Sequence, residues 1–460
     1  MKTGTFRTAV ISTVVLSMAV GCTTTSVESG TAPRASEVVV SVDNEPSARS
    51  DATSGVSVEE QDTATTAPAT STATQTSEPA AQPVVPLSGW AAVDQYLEAA
   101  IVRSGSAAAS VAVFRDGELQ HQAAYGQRVP GDPAEPSDRF RVASISKTIL
   151  AITALELVED SVLALDQPVG AQLAQGLAVG APANGTGAIT LRHLLTHRSG
   201  FPQYENLFFR NEVESCAAAA QAGFARSLQA EPGTSFQYSN MNFCVMGLLI
   251  EQVTGVPYAE VVQEQVLAPL GITAMRTAAT FDLESGDVEH VSDAGRNYME
   301  VLGGAGAWLA APADLVTILD SLDPSTSGTK ILEPDTLQLM ATITETPPSP
   351  AAGDVALEPS AAPTTFEPLP PSSGYGMGLI IFDQPLGTDS GAATFGHTGT
   401  LESTHAMFVR RPDGLSWAIT VSGDYPARTR ELATLMDNAL LLGGFVDGTY
   451  VTPSPPLVPG

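Results

Sequence analysis

Ser144 and Lys147 are three residues apart at the head of a long apolar run. That spacing is about one helical turn, so both side chains share a face if a helix begins here. Ile149, Leu150, Ile152, Leu155, Leu157 and Val158 predict such a helix, and a buried one. A nucleophile at a helix N-terminus has backbone N–H groups beside it. A desolvated lysine can surrender its proton, whereas arginine cannot. The chain uses lysine only at Lys2, Lys147 and Lys330; its other cations are arginines. The same Ser-x-x-Lys spacing recurs at Ser327 and Lys330, in a Gly/Ser/Thr-rich stretch that reads as a surface turn. Context, not spacing, singles out Ser144.

Tyr238 can join this pair. With Asn240 it forms Tyr-x-Asn after the Pro232-Gly233 turn and ahead of an apolar helix starting near Met241. A second copy, Tyr204 with Asn206, lies in a loop after Gly200 and Pro202. A phenol beside a lysine ammonium is expected to titrate below its ordinary value. Lowering a lysine from about 10.4 toward 7–8 costs roughly 4 kcal/mol, which burial must supply. The third element is His397-Thr398-Gly399-Thr400 on a strand, where glycine permits close approach. The N–H of Thr400, with that of Ser144, could serve a developing oxyanion. By itself the histidine reads rather as a structural residue at a loop end.

The elements that must bring these parts together follow from patterning. Ala91–Val102 predicts an amphipathic helix. Ser110–Arg115 and Glu118–Tyr125 predict strands joined by an Asp116-Gly117 hairpin. Pro168–Leu177 reads as a loop, and Leu191–Leu195, Met241–Val253, Tyr258–Leu267 and Ala313–Leu322 as helices. Strand patterns return at Gly378–Phe382, Ala393–His397, His405–Arg410 and Ser416–Val421, before a helix over Thr429–Leu442. Strands early, strands late and helices between predict one α+β domain in which early and late strands pair across a helical insert.

Ser144-x-x-Lys147, Tyr238-x-Asn240 and His397-x-Gly399 together resemble the serine β-lactamase and penicillin-recognising family. The branch they resemble is that of class C β-lactamases, D-alanyl-D-alanine carboxypeptidases and related esterases. Leu163–Val169, Ile189–His197 with Ser199-Gly200, Tyr238–Gly255 and Gly303–Trp308 through Leu315 match that branch too, so the resemblance covers roughly residues 90–445. It implies an antiparallel sheet flanked by helices, with an all-helical subdomain across the active site. It also implies that Ser144 is acylated and that Lys147 and Tyr238 share proton transfer, with the choice of base open. Asn240 would hydrogen-bond substrate, and His397 would tune the site's electrostatics. Thr398, Gly399 and Thr400 would form the edge along which substrate lies. Two departures stand out. Histidine replaces the lysine that begins the third motif in many β-lactamases, which favours peptidase or esterase action over antibiotic hydrolysis. Leu401-Glu402-Ser403-Thr404 replaces a glycine-rich continuation.

The rest of the chain bounds the setting. A net charge of −29 over 460 residues argues against nucleic-acid partners and against charge-driven docking on anionic lipid. Residues 1–21 pair a basic start (Lys2, Arg7) with an apolar run, Ala9–Val20, too short to span a bilayer, and so read as an export signal. Gly21-Cys22 resembles a bacterial lipoprotein processing site, with Ala19 where leucine is usual. Cys22 would then carry a lipid anchor to the cell membrane and place the protein outside the cytoplasm. Residues 22–86, poor in aromatics, read as a disordered tether reaching roughly 40–50 Å as flexible coil. The domain runs over 87–450 with a Pro-rich insertion at about 343–373, and 451–460 form a frayed tail. With Cys22 lipidated, Cys216 and Cys244 are left as a disulfide pair; two buried thiols are the alternative. His193 and His197 are four apart, but no glutamate follows His193, so no metal site is expected. There is no Rossmann or P-loop glycine pattern, hence no cofactor, and no Gly-x-Ser-x-Gly of an α/β-hydrolase. The expected protein is a monomeric, lipid-anchored serine hydrolase of a small-molecule or peptide substrate. A β-lactamase, and a non-catalytic envelope-binding lipoprotein of the same fold, are the alternatives.

Overall fold

A computed structural model describes residues 87–182, 184–344, 373–383, 394–426, 428–448 and 451–452. The export segment, Cys22, the tether, most of the Pro-rich insertion and the tail beyond 452 lie outside the described residues.

An eight-stranded antiparallel sheet organises the domain. Its strands are β1 (Ala108–Arg115), β2 (Glu118–Val129), β3 (Asp132–Pro133), β7 (Gly374–Tyr375), β8 (Ile380–Asp383), β9 (Thr394–Leu401), β10 (Thr404–Arg410) and β11 (Leu415–Ser422), in the order β3-β2-β1-β11-β10-β9-β8-β7. β1 pairs with β11 over its whole length, Ala108 opposite Ser422 and Arg115 opposite Leu415, so the first strand closes against the last. The β1–β2 turn works because Asp116 and Gly117 both take positive φ (53° and 86°), which matches the twist of the flanking strands. Three short strands, β4 (Phe140–Arg141), β5 (Arg276–Thr277) and β6 (Trp308–Ala310), form a second sheet in the order β4-β6-β5. Among the described residues, the segment between β4 and β7 carries helices, with β5 and β6 as its strands.

Alternation along the central strands buries both faces. Val111, Val113, Met407, Trp417 and Ile419 face the helices Trp90–Ser104 and Glu431–Gly443 through Val93, Leu97, Leu432 and Met436. Ala112, Phe114, Ala406, Phe408 and Ala418 face the opposite core, built from Ile145–Glu159, Asn240–Thr254 and Pro312–Ser321. The helix Ile145–Glu159 is apolar on nearly every side, as a helix enclosed in a core must be.

One expectation is corrected. Pro168–Leu177 contains a helix, Gly170–Gly176, rather than a loop. Leu173, Ala174 and Leu177 join the main core, and a Cβ on Gly170 would come within 1.9 Å of the Thr186 carbonyl oxygen. Close packing, which only glycine permits there, overrides the weak helix propensity of this stretch.

Candidate active site

Ser144 caps the helix Ile145–Glu159, yet its side chain makes no capping hydrogen bond and is left for other partners. The chain reaches it from β4 through Val142 and Ala143. Val142 N–H donates to Trp308 O (3.1 Å), and Trp308 N–H donates to Ser146 Oγ (3.3 Å), so β6 holds both sides of the turn. Ala143 takes φ 49°, a left-handed value uncommon for a residue with a side chain. β9 seals the turn from the other side. A Cβ on Gly399 would sit 2.1 Å from Val142 O and 3.1 Å from Ala143 Cβ, so only glycine lets this strand lie against the approach to Ser144.

Lys147 lies one turn on and is fully buried. Its Nζ donates to Ser144 Oγ (2.8 Å) and to Ala305 O (2.8 Å), and stands 5.0 Å from the Tyr238 ring centroid. Burial pushes its pKa well below the ordinary value, so the neutral amine is favoured. Ala305 belongs to the tight turn Gly303–Ala305. A Cβ on Gly304 would meet Leu150 Cδ2 at 2.6 Å and Phe243 O at 3.0 Å, so glycine seats the Ala305 carbonyl between the two core helices.

Tyr238 precedes the helix Asn240–Thr254, whose N-cap is Ser239, and its phenol hydrogen-bonds to Ser144. The expected fall in its pKa is not found. Burial raises it above the ordinary value, with the Ser144 hydrogen bond opposing. The physical reason is that Lys147 is itself buried and biased to neutrality, so no strong cation faces the phenol. Asn240 is the first residue of its helix and is buried.

His397, on β9, is buried with both ring nitrogens engaged: Nδ1 with Thr398 O (2.6 Å) and Nε2 with the Tyr375 hydroxyl (3.1 Å). Burial lowers its pKa to about 3, so it is uncharged at neutral pH. Thr398 is half-buried, Gly399 buried and Thr400 exposed, with Thr400 Oγ1 hydrogen-bonded to Thr429 Oγ1 (2.5 Å). β9 and β10 join at Glu402-Ser403, with Ser403 at φ 48°. A two-residue turn replaces a glycine-rich continuation.

The second copies of the motifs have other employment. Lys330 Nζ donates to Asp320 O (3.0 Å) and to Thr326 Oγ1, tying a loop. Tyr204 starts the short helix Glu205–Phe209 and packs with Phe201, which in turn packs with Phe224. His193 accepts from Thr190 N–H (3.2 Å) in a capping box. Cys216 and Cys244 are joined as a disulfide with Cα atoms 5.7 Å apart, linking Cys216–Phe224 to Asn240–Thr254.

Four participants escaped sequence reasoning. His197, Asn242, Tyr375 and the Ala305 carbonyl all touch the cluster or support it. A polar asparagine in the first turn of a buried apolar helix, Asn242, was the one readable signal.

A model of the Beta-lactamase family matches residues 92–441. The chain is 28% identical over 162 residues to a penicillin-binding protein of Bacillus subtilis (strain 168), covering 34% of each chain. It thus spans about a third of that relative's length. It is 27% identical over 359 residues to the esterase EstB of Burkholderia gladioli, covering 71% of this chain and 89% of the esterase. Among solved structures it resembles a D-stereospecific amidohydrolase from Streptomyces sp., at a TM-score of 0.56 and 25% identity, over 76% of this chain and 97% of that one.

Proposed function

Since this chain belongs to the Beta-lactamase family, we propose that it is an extracytoplasmic, lipid-anchored serine hydrolase acting through an acyl-enzyme on Ser144. Within that class we assign it to esterase or D-alanyl-D-alanine carboxypeptidase-like chemistry rather than to dedicated β-lactam hydrolysis. The observation that carries the reading is a fully buried amine, Lys147 Nζ, 2.8 Å from a serine oxygen that also bonds the Tyr238 phenol.

The roles follow from the directions of the two pKa shifts. Lys147 is favoured as the neutral amine, and Tyr238 keeps its proton. Ser144 Oγ forms a bond to the substrate's carbonyl carbon as its proton passes to Lys147 Nζ. The carbonyl oxygen becomes an oxyanion, served by the N–H groups of Ser144 and Thr400. Collapse breaks the bond to the leaving group, which takes a proton through Tyr238 while Lys147 resupplies it. Water then attacks the acyl-enzyme by the reverse relay and frees Ser144. Asn240, Thr398 and Gly399 line the path of the acyl chain. Gly21-Cys22 supports a lipid anchor at Cys22, with residues 23–86 as tether.

The test is labelling of the mature protein with a fluorophosphonate and with a fluorescent penicillin, Ser144→Ala as control. Ser144-dependent labelling by the fluorophosphonate is expected, and its absence with both probes overturns the enzyme reading. Slow-releasing penicillin labelling would point to the peptidase, fast turnover to a β-lactamase. Replacing Cys22 with serine should move the protein from membrane to soluble fraction.

A further inference from the structure

His197 stands behind Tyr238 and is bonded to the chain on both sides of it. Its backbone carbonyl accepts the N–H of Gln237 (2.8 Å), and its ring Nδ1 accepts the N–H of Ser239 (3.1 Å). Its ring centroid is 4.2 Å from that of Tyr238, tilted by 37°. His197 itself is fully buried and takes φ 55°. A left-handed backbone on a residue this large persists only where its surroundings enforce it.

The side chains around the ring fix its tautomer. Asn242 lies 2.9 Å from the same Nδ1, and its Oδ1 accepts from the Ser199 hydroxyl, so the amide presents Nδ2–H to the histidine. With two donors on Nδ1, the ring proton must sit on Nε2. Among the described residues, that Nε2 is buried without a lone-pair acceptor, in a cage of the Phe236, Tyr238, Phe243 and Tyr375 rings. The other titratable groups acting on it, Lys147 and His397, oppose a second proton, as does burial.

From this arrangement we propose that His197 is a positioning residue: an Nε2–H imidazole that clamps Gln237 and Ser239 and so sets where the Tyr238 hydroxyl meets Ser144. This rests on the role given to Tyr238 above. The clamp needs an acceptor at Nδ1 and a residue that tolerates positive φ. Asparagine meets both needs, since its Oδ1 takes the place of Nδ1 and it tolerates the left-handed backbone. Phenylalanine keeps the ring but meets neither.

The experiment compares the full chain with His197→Phe and His197→Asn, using an ester substrate and histidine-selective 15N spectra. In His197→Phe, kcat should fall about 10²-fold with KM within about twofold, the signature of a misplaced catalytic group. His197→Asn should recover to within about tenfold of the parent. In the parent spectrum, one of the six histidines, the signal lost in His197→Asn, should show a proton on Nε2 and no titration between about pH 5 and 9. A merely packing role predicts equal loss of melting temperature in both variants with kcat of the folded enzyme unchanged. That result, or an Nδ1–H signal, overturns the clamp. If His197→Phe does not fold, the spectrum and His197→Asn decide. If Ser144 takes no label in the parent, the functional reading fails, while the spectrum still tests the tautomer.

Discussion

Fully buried Lys147 Nζ lies 2.8 Å from the Oγ of half-buried Ser144, and burial drives the lysine's pKa down. Acylation should therefore fail as pH falls through that depressed pKa, when the amine protonates and loses its lone pair. Tyr238 titrates above its ordinary 10.0, so the rate should hold beyond pH 10. His397, at about 3, contributes no limb near neutrality. A pH profile of kcat/KM with an alkaline decline below 10 would contradict these assignments.

Lys147 also makes a prediction about stability. The folded chain releases this proton at lower pH than the unfolded chain, whose lysine titrates near 10.5. Between the two values the unfolded state binds more protons, so stability rises with pH across that window and neutral Lys147 is a net cost at pH 7. Lys147→Met should lower acylation by about 10²–10⁴-fold and raise the melting temperature by a few degrees. Lys147→Arg should be equally inactive, because guanidinium stays protonated. Parallel labelling and calorimetry check both halves; a destabilised Lys147→Met defeats the second.

How much of this was legible in the sequence depended on the kind of group. Ser144, Lys147, Tyr238 and His397 are residue types with chemistry of their own, so their spacing could be read, and periodicity found the strands that pair across the insert. The Ala305 carbonyl could not be read, because a backbone oxygen is the same in every residue. Asn242 was legible as a polar residue in an apolar helix but its role was not, since it acts through His197 and Ser199, 45 and 43 residues earlier, and only the fold brings it to them. The helix Gly170–Gly176 was missed because Gly170 answers to a close approach by Thr186 rather than to local propensity.

Gly399→Ala tests whether β9 must touch the Ser144 turn. The new Cβ would meet Val142 O at 2.1 Å, so strand or turn must shift. Overpacking of this kind costs about 1–3 kcal/mol, and displacement of the oxyanion donors should lower kcat by about 10²-fold. Denaturant midpoints and ester kinetics measure the two effects, and unchanged kinetics would remove β9 from the site.

The Cys216–Cys244 disulfide closes a loop of sequence separation 28. In the chain-entropy model, losing it costs about 3–4 kcal/mol. Neither cysteine touches Ser144, so the Cys216→Ala, Cys244→Ala double variant should lose stability yet keep fluorophosphonate labelling below its melting temperature. A full-length chain that shows a free thiol at Cys244 by mass mapping would remove the disulfide.

The last prediction concerns the substrate's charge. His397 could offer a substrate carboxylate a cation from β9 only if protonated, but it is buried, uncharged and occupied by Tyr375 and Thr398. The chain's net charge of −29 adds repulsion toward anions. Neutral esters should thus be hydrolysed faster than esters matched in size that carry a carboxylate on the acyl side. A lysine at this position could run its stem along the buried surface and bring its ammonium to the open side. One partly screened ion pair is worth about 1 kcal/mol, so His397→Lys should improve the carboxylate substrate's relative kcat/KM about fivefold. Loss of the Tyr375 contact will lower both rates, so the ratio is the informative quantity. Equal rates for the two esters in the parent enzyme, or a ratio unmoved by His397→Lys, would show that another group reads the charge.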